Sequence, residues 1–372
     1  MKIGVPTEVK NHEYRVGLTP GAVRELTSEG HKVLIQHDAA AAIGFPDAAY
    51  EAVGAHIAPD AASVFAEAEM VVKVKEPQPD EIARLHRGQV LFTYLHLAAD
   101  RPQATGLIAS GATCIAYETV TDAHAGLPLL APMSEVAGRM SVQVGAHCLE
   151  REQGGAGVLL GGLPGVPAGQ VVVLGGGVAG TQAATVALGL GARVTVLDRS
   201  LPRLREIDRL FGGRVATLSS TSEAIEKAIA GADLLVGSVL IAGAAAPKLV
   251  SRAMLRSMRP GSVLVDIAID QGGCCETSRP TTHDAPTYIE EGVVHYCVTN
   301  MPGAVARTST LALCNATLPF VRALAEWGWR DAMQADQHLA CGLNIHAGRV
   351  THPAVAAALD LPCYGVDQAI TL

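Results

Sequence analysis

Val171-Val-Val-Leu-Gly-Gly-Gly-Val-Ala-Gly180, with Asp198 beyond it, is the stretch from which the rest of the chain can be read. Three β-branched residues and Leu174 predict an apolar strand that runs into Gly175-x-Gly177-x-x-Gly180, and a helical run follows from Thr181 to Leu190. The first glycine permits a tight turn, the second lets the backbone approach a pyrophosphate, and the third lets the helix pack close to the strand. Free amides at a helix start attract phosphate. Gly191 is placed to stop the helix, Arg193 to Leu197 reads as a second strand, and Asp198 stands at its end, eighteen residues after Gly180. A carboxylate there can accept hydrogen bonds from both ribose hydroxyls of an adenosine. In a chain with 39 glycines the glycine spacing alone also describes an ordinary turn. The register of strand, turn, helix and acid points to a dinucleotide.

A chain of 372 residues exceeds one ordinary core, so two domains are expected. A hydrophobic share of 49% against 17% charged residues argues for globular domains and against disorder. The net charge of -8 carries no basic cluster, which sets nucleic acid aside as a partner. The uncharged run between Glu152 and Arg193 is long enough for a bilayer, but Pro164, Pro167 and many glycines would leave backbone groups unpaired in lipid. It reads as a buried strand with loops. The opening residues carry charge at positions 8 and 10 and no signal-like apolar core, so a cytoplasmic protein is expected, with no membrane partner. Eight cysteines form no Cys-x-x-Cys pair, and buried reduced thiols explain most of them. No metal site is assigned.

Up to about residue 128 short β-rich runs alternate with helical ones, the pattern of a parallel sheet covered on both faces. The runs Met70 to Lys75, Gln89 to His96 and Thr113 to Glu118 each end in a polar side chain. Ligands of such sheets bind beyond the carboxyl ends of the strands, which is where Lys75 and His96 fall. Period-two alternation puts Lys73 on one face with Lys75 and Tyr94 on one face with His96. Each of these residues, read alone, also suits a plain strand end. A helical pattern from Pro132 to Glu150, with Gly138 and Gly145 for close approach, reads as the first linker. Strands at Arg214 to Leu218, Asp233 to Val236, Ser262 to Ile267 and Val293 to Val298 would complete a six-stranded nucleotide fold. Its exits carry Asp270, which equally fits a helix cap, and Thr299-Asn300-Met301. A second helical pattern, from Ala304 to about Trp327 and interrupted by Pro319, would return the chain to the first domain.

Further stretches carry a resemblance. Gly4-Val-Pro-Thr-Glu-Val-Lys-Asn-His-Glu-Tyr-Arg-Val-Gly-Leu-Thr-Pro20, Val74-Lys-Glu-Pro77, Tyr94-Leu-His-Leu97, Pro132-Met-Ser-Glu-Val-Ala-Gly-Arg139, Asp266-Ile-Ala-Ile-Asp270 and Thr299-Asn-Met-Pro-Gly-Ala-Val305 resemble the alanine dehydrogenase and transhydrogenase α-subunit family. The resemblance implies an α/β protein of two doubly wound Rossmann-like domains joined by two long helices, with the active site in the interdomain cleft. Residues 1–128 and 307–372 would form a discontinuous substrate domain, and 129–306 an NAD-binding domain.

The resemblance further implies an NAD-dependent enzyme, assembled as a homohexamer, that interconverts L-alanine, NAD and water with pyruvate, ammonium and NADH. Under it, Arg15 and Lys75 bind the substrate, and His96 and Asp270 are catalytic. Ser134, Gly175, Gly177, Val178, Ala179, Gly180, Asp198, Arg203, Ser220, Val239, Leu240, Ile267, Asp270, Asn300 and Met301 would surround NAD. Arg203 departs from the lysine that many relatives carry beside the ribose. Two rivals stand beside this reading. A transhydrogenase-type subunit would carry an extended loop with Arg and Gln near the first linker, and Thr119 to Ala131 contains neither. A catalytically dead NAD(H) sensor would have lost some of Arg15, Lys75, His96 and Asp270, and all four are present.

Overall fold

The computed structural model describes residues 1–239 and 246–371. They form two compact units, Met1–Met133 with Val305–Leu372, and Ser134–Ala304. The class is α/β, as the alternation of strands and helices predicts.

In the first unit, strands β1 (Lys2–Val5), β2 (Lys32–Gln36), β3 (His56–Ala58), β4 (Met70–Val72), β5 (Val90–Thr93) and β6 (Thr113–Ala116) form parallel ladders in the order β6-β5-β4-β1-β2-β3. All residues of β4, β5 and β6 are buried, which is why these strands read as unbroken apolar runs rather than alternating ones. Thr19 caps the helix Pro20–Ser28 by accepting from the Ala22 amide at 3.2 Å, with Pro20 at the first helical position.

Two strands are shorter than the sequence suggests. β4 stops at Val72 and β5 at Thr93, so alternation does not govern Lys73, Lys75, Tyr94 or His96. Lys73 is fully buried while Lys75 is half-buried. The cause is a buried ammonium: Lys73 Nζ lies 2.7 Å from Glu81 and 3.1 Å from Glu8, and the chain leaves strand geometry to make those pairs.

The second unit contains β7 (Gln170–Leu174), β8 (Arg193–Asp198), β9 (Ala216–Ser219), β10 (Leu234–Gly237), β11 (Val263–Asp266), β12 (Thr287–Glu290) and β13 (Val293–Tyr296), in the order β12-β13-β11-β10-β7-β8-β9. Six strands were expected, and the described residues contain seven. The addition, β12, runs antiparallel to β13 at the edge, where its alternately exposed Thr-Tyr-Ile-Glu reads as loop. The helix Ala131–Cys148 packs tightly within this unit: a Cβ on Gly138 would lie 2.1 Å from the Ala179 carbonyl oxygen, and one on Gly145 would lie 2.6 Å from Leu234.

The chain completes the first unit with β14 (Leu343–His346), antiparallel to β6, and β15 (Arg349–Val350). In the chain order the helix Ala306–Ala335 comes before them and belongs to the same unit. Pro319 does not interrupt it, contrary to the sequence reading; the non-helical residue is Gly328, at φ 75° and ψ 160°. Proline removes one backbone donor but holds a helical φ, whereas glycine alone tolerates the backbone turn seen at 328. No helix among the described residues is long and apolar enough to cross a membrane.

Candidate active site

The glycine loop leaves β7 with Gly175 at φ +95°, and a Cβ there would sit 2.8 Å from the Ser238 carbonyl oxygen. The helix begins at Val178 rather than Thr181, so Gly180 lies in its first turn, where an added Cβ would come within 1.8 Å of the Gly175 carbonyl oxygen. Gly177 caps this helix without a side-chain hydrogen bond, and the space a Cβ would take there is open. A helix start with uncapped amides and open space in front of it suits a diphosphate.

Asp198 ends β8 as expected, and its two oxygens hold the loop: Oδ2 accepts from the Gly176 amide at 2.7 Å and Oδ1 from the Ser200 amide at 2.8 Å. A carboxylate offers about four acceptor positions, so capacity for ribose hydroxyls is left. The Ser220 amide donates to the Asp198 carbonyl at 3.0 Å, which places Ser220 beside it. Arg203 lies over the loop, donating to the Gly176 carbonyl at 2.6 Å and the Thr181 hydroxyl at 2.7 Å. Ser238 was not anticipated. Its hydroxyl donates to the Leu174 and Gly175 carbonyls, both at 2.9 Å, and so closes the turn from β10. Val239 is half-buried next to it, and Leu240 lies outside the described residues.

Ser134 and Ile267 are half-buried, Met301 is buried, and the Asn300 carbonyl accepts from His283 at 2.9 Å. Asp270 is exposed on the 3-10 turn Ile267–Gln271. The cap of that turn is Asp266, fully buried, which accepts from the Ala268 amide at 3.1 Å, the Cys274 amide at 2.9 Å and the Ser278 hydroxyl at 2.5 Å. The sequence reading passed over Asp266, although it opens the same motif. Cys274 and Cys275 are buried beside it, and burial pushes both thiols up, which disfavours the reactive thiolate. Cys341 and Cys363 are exposed.

In the first unit, Arg15 is buried, with Nε donating to Glu13 Oε1 at 2.7 Å and NH2 to Glu13 Oε2 at 2.5 Å. Burial opposes its charge, but Glu13 outweighs burial and raises the guanidinium further above its ordinary range. Its NH1 faces the Met133 sulfur at 3.1 Å. Lys75 Nζ lies 3.9 Å from Glu76, and the Lys75 carbonyl accepts from Thr93 at 3.0 Å, which fixes this segment to the end of β5. His96 is exposed at φ 51° and ψ 35°, with its ring parallel to that of Tyr94 at 5.8 Å. Tyr94 is buried and donates to the Leu129 carbonyl at 2.5 Å. Backbone bonds connect the segments that carry these residues: Val74 donates to Glu8 at 2.7 Å and Tyr94 donates to Val74 at 3.3 Å. Among the described residues, His37, Asp38 and Asp47 bring metal-ligating atoms within 4.8 Å, but at a largely exposed position where His37 and Asp47 hydrogen-bond to each other at 2.5 Å.

Comparison with known proteins identifies the family. Family models described as alanine dehydrogenase/PNT, N-terminal domain and C-terminal domain, match residues 4–137 and 141–353. The alanine dehydrogenase of Halomonas elongata is 62% identical over 97% of each chain, and that of Mycobacterium tuberculosis is 53% identical over 97% of this chain and 98% of its own. A solved L-alanine dehydrogenase superposes with a TM-score of 0.94 at 54% identity, covering 97% of this chain and 99% of that one. A transhydrogenase from Sinorhizobium meliloti superposes at 0.82 with 26% identity over 95% and 100% of the two chains. Both family models, the near-complete likeness to curated relatives and the glycine loop with its Asp198 clamp converge: the chain belongs to the alanine dehydrogenase/PNT family.

Proposed function

We propose that this protein is an L-alanine dehydrogenase that reversibly converts L-alanine, NAD and water to pyruvate, ammonium and NADH, with the second unit holding the nucleotide and the first the substrate. The observation that carries this reading is the occurrence, in a chain alike end to end to curated alanine dehydrogenases, of an open glycine loop together with Arg15, Lys75 and His96 at the carboxyl side of the other sheet. The likeness to a transhydrogenase is weaker in identity, 26% against 62%.

The residues of the loop fit NAD. Amides at Gly177 and Val178 would meet the diphosphate, and Asp198 would accept from the ribose and repel a 2′-phosphate, which favours NAD over NADP. NAD, when bound, supplies the hydride acceptor. Glu13 occupies one edge of the Arg15 guanidinium, and the NH1 side, which faces the Met133 sulfur, is the one that would pair with the substrate carboxylate. Lys75 polarises the substrate oxygen. In oxidation, loss of hydride from the α-carbon leaves an iminium, water adds to it, and the carbinolamine collapses to pyruvate and ammonia. His96 takes the proton as water adds and returns it in the reverse direction, and Asp270 holds that water or the cationic intermediate. Assembly into a homohexamer belongs to the same reading.

The test is NADH oxidation with ammonium and a panel of 2-oxo acids from glyoxylate to 2-oxoisovalerate. Pyruvate should be preferred, because the buried Tyr94 and Met133 would bound the site close to the substrate's methyl group. Equal efficiency with pyruvate and 2-oxoisovalerate would refute the small pocket, and no activity with any of them would refute the enzyme.

A further inference from the structure

We propose that Glu118 is a positioning residue that holds His96 in its reactive pose; this rests on the alanine dehydrogenase reading and deepens it. Glu118 lies in the 3-10 turn Tyr117–Thr119 directly after β6, with its side chain largely shielded from solvent. Its Oε1 accepts from the His96 amide at 2.6 Å, and both its oxygens lie 3.2 Å from the Leu95 amide. Two successive amides thus converge on one carboxylate from a neighbouring strand end, an arrangement in which backbone dipoles bind an anion.

The geometry at His96 explains why an anion is needed there. A φ of 51° is left-handed backbone, which a residue with a Cβ rarely adopts, and such a conformation persists only where its surroundings over-determine it. The left-handed turn aims the Leu95 and His96 amides the same way, and Glu118 rewards that aim. From this backbone the imidazole projects to solvent, parallel to the Tyr94 ring. Tyr94 is itself fixed by Leu129 and by edge contact with Tyr117 at 5.1 Å. The ring therefore has a rigid neighbour and the backbone a rigid anchor. His96 Nδ1 stands 3.9 Å from Glu118 Oε1, too far for a hydrogen bond, so the grip is on the main chain. Without the carboxylate the left-handed turn loses the anion on which both amides converge, and the imidazole would leave the pose in which it can exchange a proton.

The experiment is a double-mutant cycle of Glu118→Ala and His96→Ala, read as kcat for pyruvate amination, with NADH binding followed by fluorescence. Glu118→Ala should lower kcat by about 10²-fold, the cost of misplacing a catalytic group by about 1 Å, with NADH binding unchanged. In the His96→Ala background the same substitution should cost no more than about twofold, because a residue acting only through His96 has nothing left to position. Glu118→Gln keeps an oxygen for the amides and should recover most of the lost turnover. If Glu118→Ala does not melt cooperatively, the Gln variant carries the cycle, with a loss of about threefold or more on wild type and none on His96→Ala. Losses that multiply in the double variant, or an indifferent Glu118→Ala in an active enzyme, overturn the proposal alone. An inactive wild-type protein overturns it together with the function on which it rests.

Discussion

The two sheets share one topology and use it in opposite ways. In each, the first strand is flanked by the second and the fourth, all parallel, so the order in which strands are added to the sheet reverses at β1 and β4 and at β7 and β10. Crevices of this kind receive ligands. After β7 the loop itself is built of uncharged glycines closed by the Ser238 hydroxyl, and the Asp198 and Arg203 charges hold it from behind at the Gly176 amide and carbonyl. After β1 stands Glu8, which pairs with Lys73 beyond β4, and Lys73 also reaches Glu81. The fold supplies the place, and the residues at the strand exits decide whether backbone dipoles or side-chain charges meet the ligand.

The largest effect should come from the charged crevice. Burial works against the Lys73 ammonium, yet Glu8 and Glu81 raise its pKa above the ordinary lysine range, so it stays charged. Lys73→Met would leave two carboxylates buried without a cation, at a cost of about 3–5 kcal/mol. Hydrogen exchange should accelerate in β1 and β4 while NADH binding survives. Unchanged protection there would show that the network does not support the first unit.

The neutral crevice breaks differently. Gly180→Ala forces a Cβ onto the Gly175 carbonyl and Ser238, an overpacking of about 1–3 kcal/mol, and should weaken NADH binding by roughly tenfold or more. Unaltered affinity would mean that the loop relaxes freely and is not the nucleotide cradle. Asp198→Ala removes the anchor of the Gly176 amide and, on the proposed function, the ribose acceptor. Bonds to a charged acceptor are worth about 1.5–3 kcal/mol, so NAD affinity should fall by about tenfold and the margin over NADP should narrow. Equal use of the two cofactors by wild type would already contradict the role given to Asp198.

The smallest effect is at the surface of the second unit. Arg256 and then Arg252 hold the Glu291 carboxyl down to about 2. A folded pKa below the unfolded one means stability present above the ordinary value near 4.5 and lost as pH falls toward about 2. Glu291→Gln should flatten that part of the acid melt, and only slightly, because the pair is exposed. A large change at neutral pH would show that Glu291 does more than pair with two arginines.

The same contrast governs what could be read from residues alone. The glycine loop and Asp198 were legible because their spacing is local and each residue type has a backbone reason. The strand exits Lys75, His96 and Asp270 were legible as exits. The groups that hold the site were not: Glu118 and Ser238 act across strands, and a lone polar residue gives no sign of which distant group it will hold. Lys73 was assigned to the wrong surroundings because period-two alternation assumes a strand that in fact ends at Val72. Gly328 was overlooked because Pro319 carries the stronger signal for a break.

The central claim is a division of labour: the second unit binds the nucleotide and His96 in the first moves the proton. His96→Ala tests it most directly, with turnover and NADH binding measured on the same sample. Turnover should fall by about 10²- to 10⁴-fold, the usual share of general acid-base catalysis, while NADH fluorescence titrates as in wild type. Turnover within about threefold of wild type would contradict the account, since a group that moves the proton cannot be removed at so small a cost.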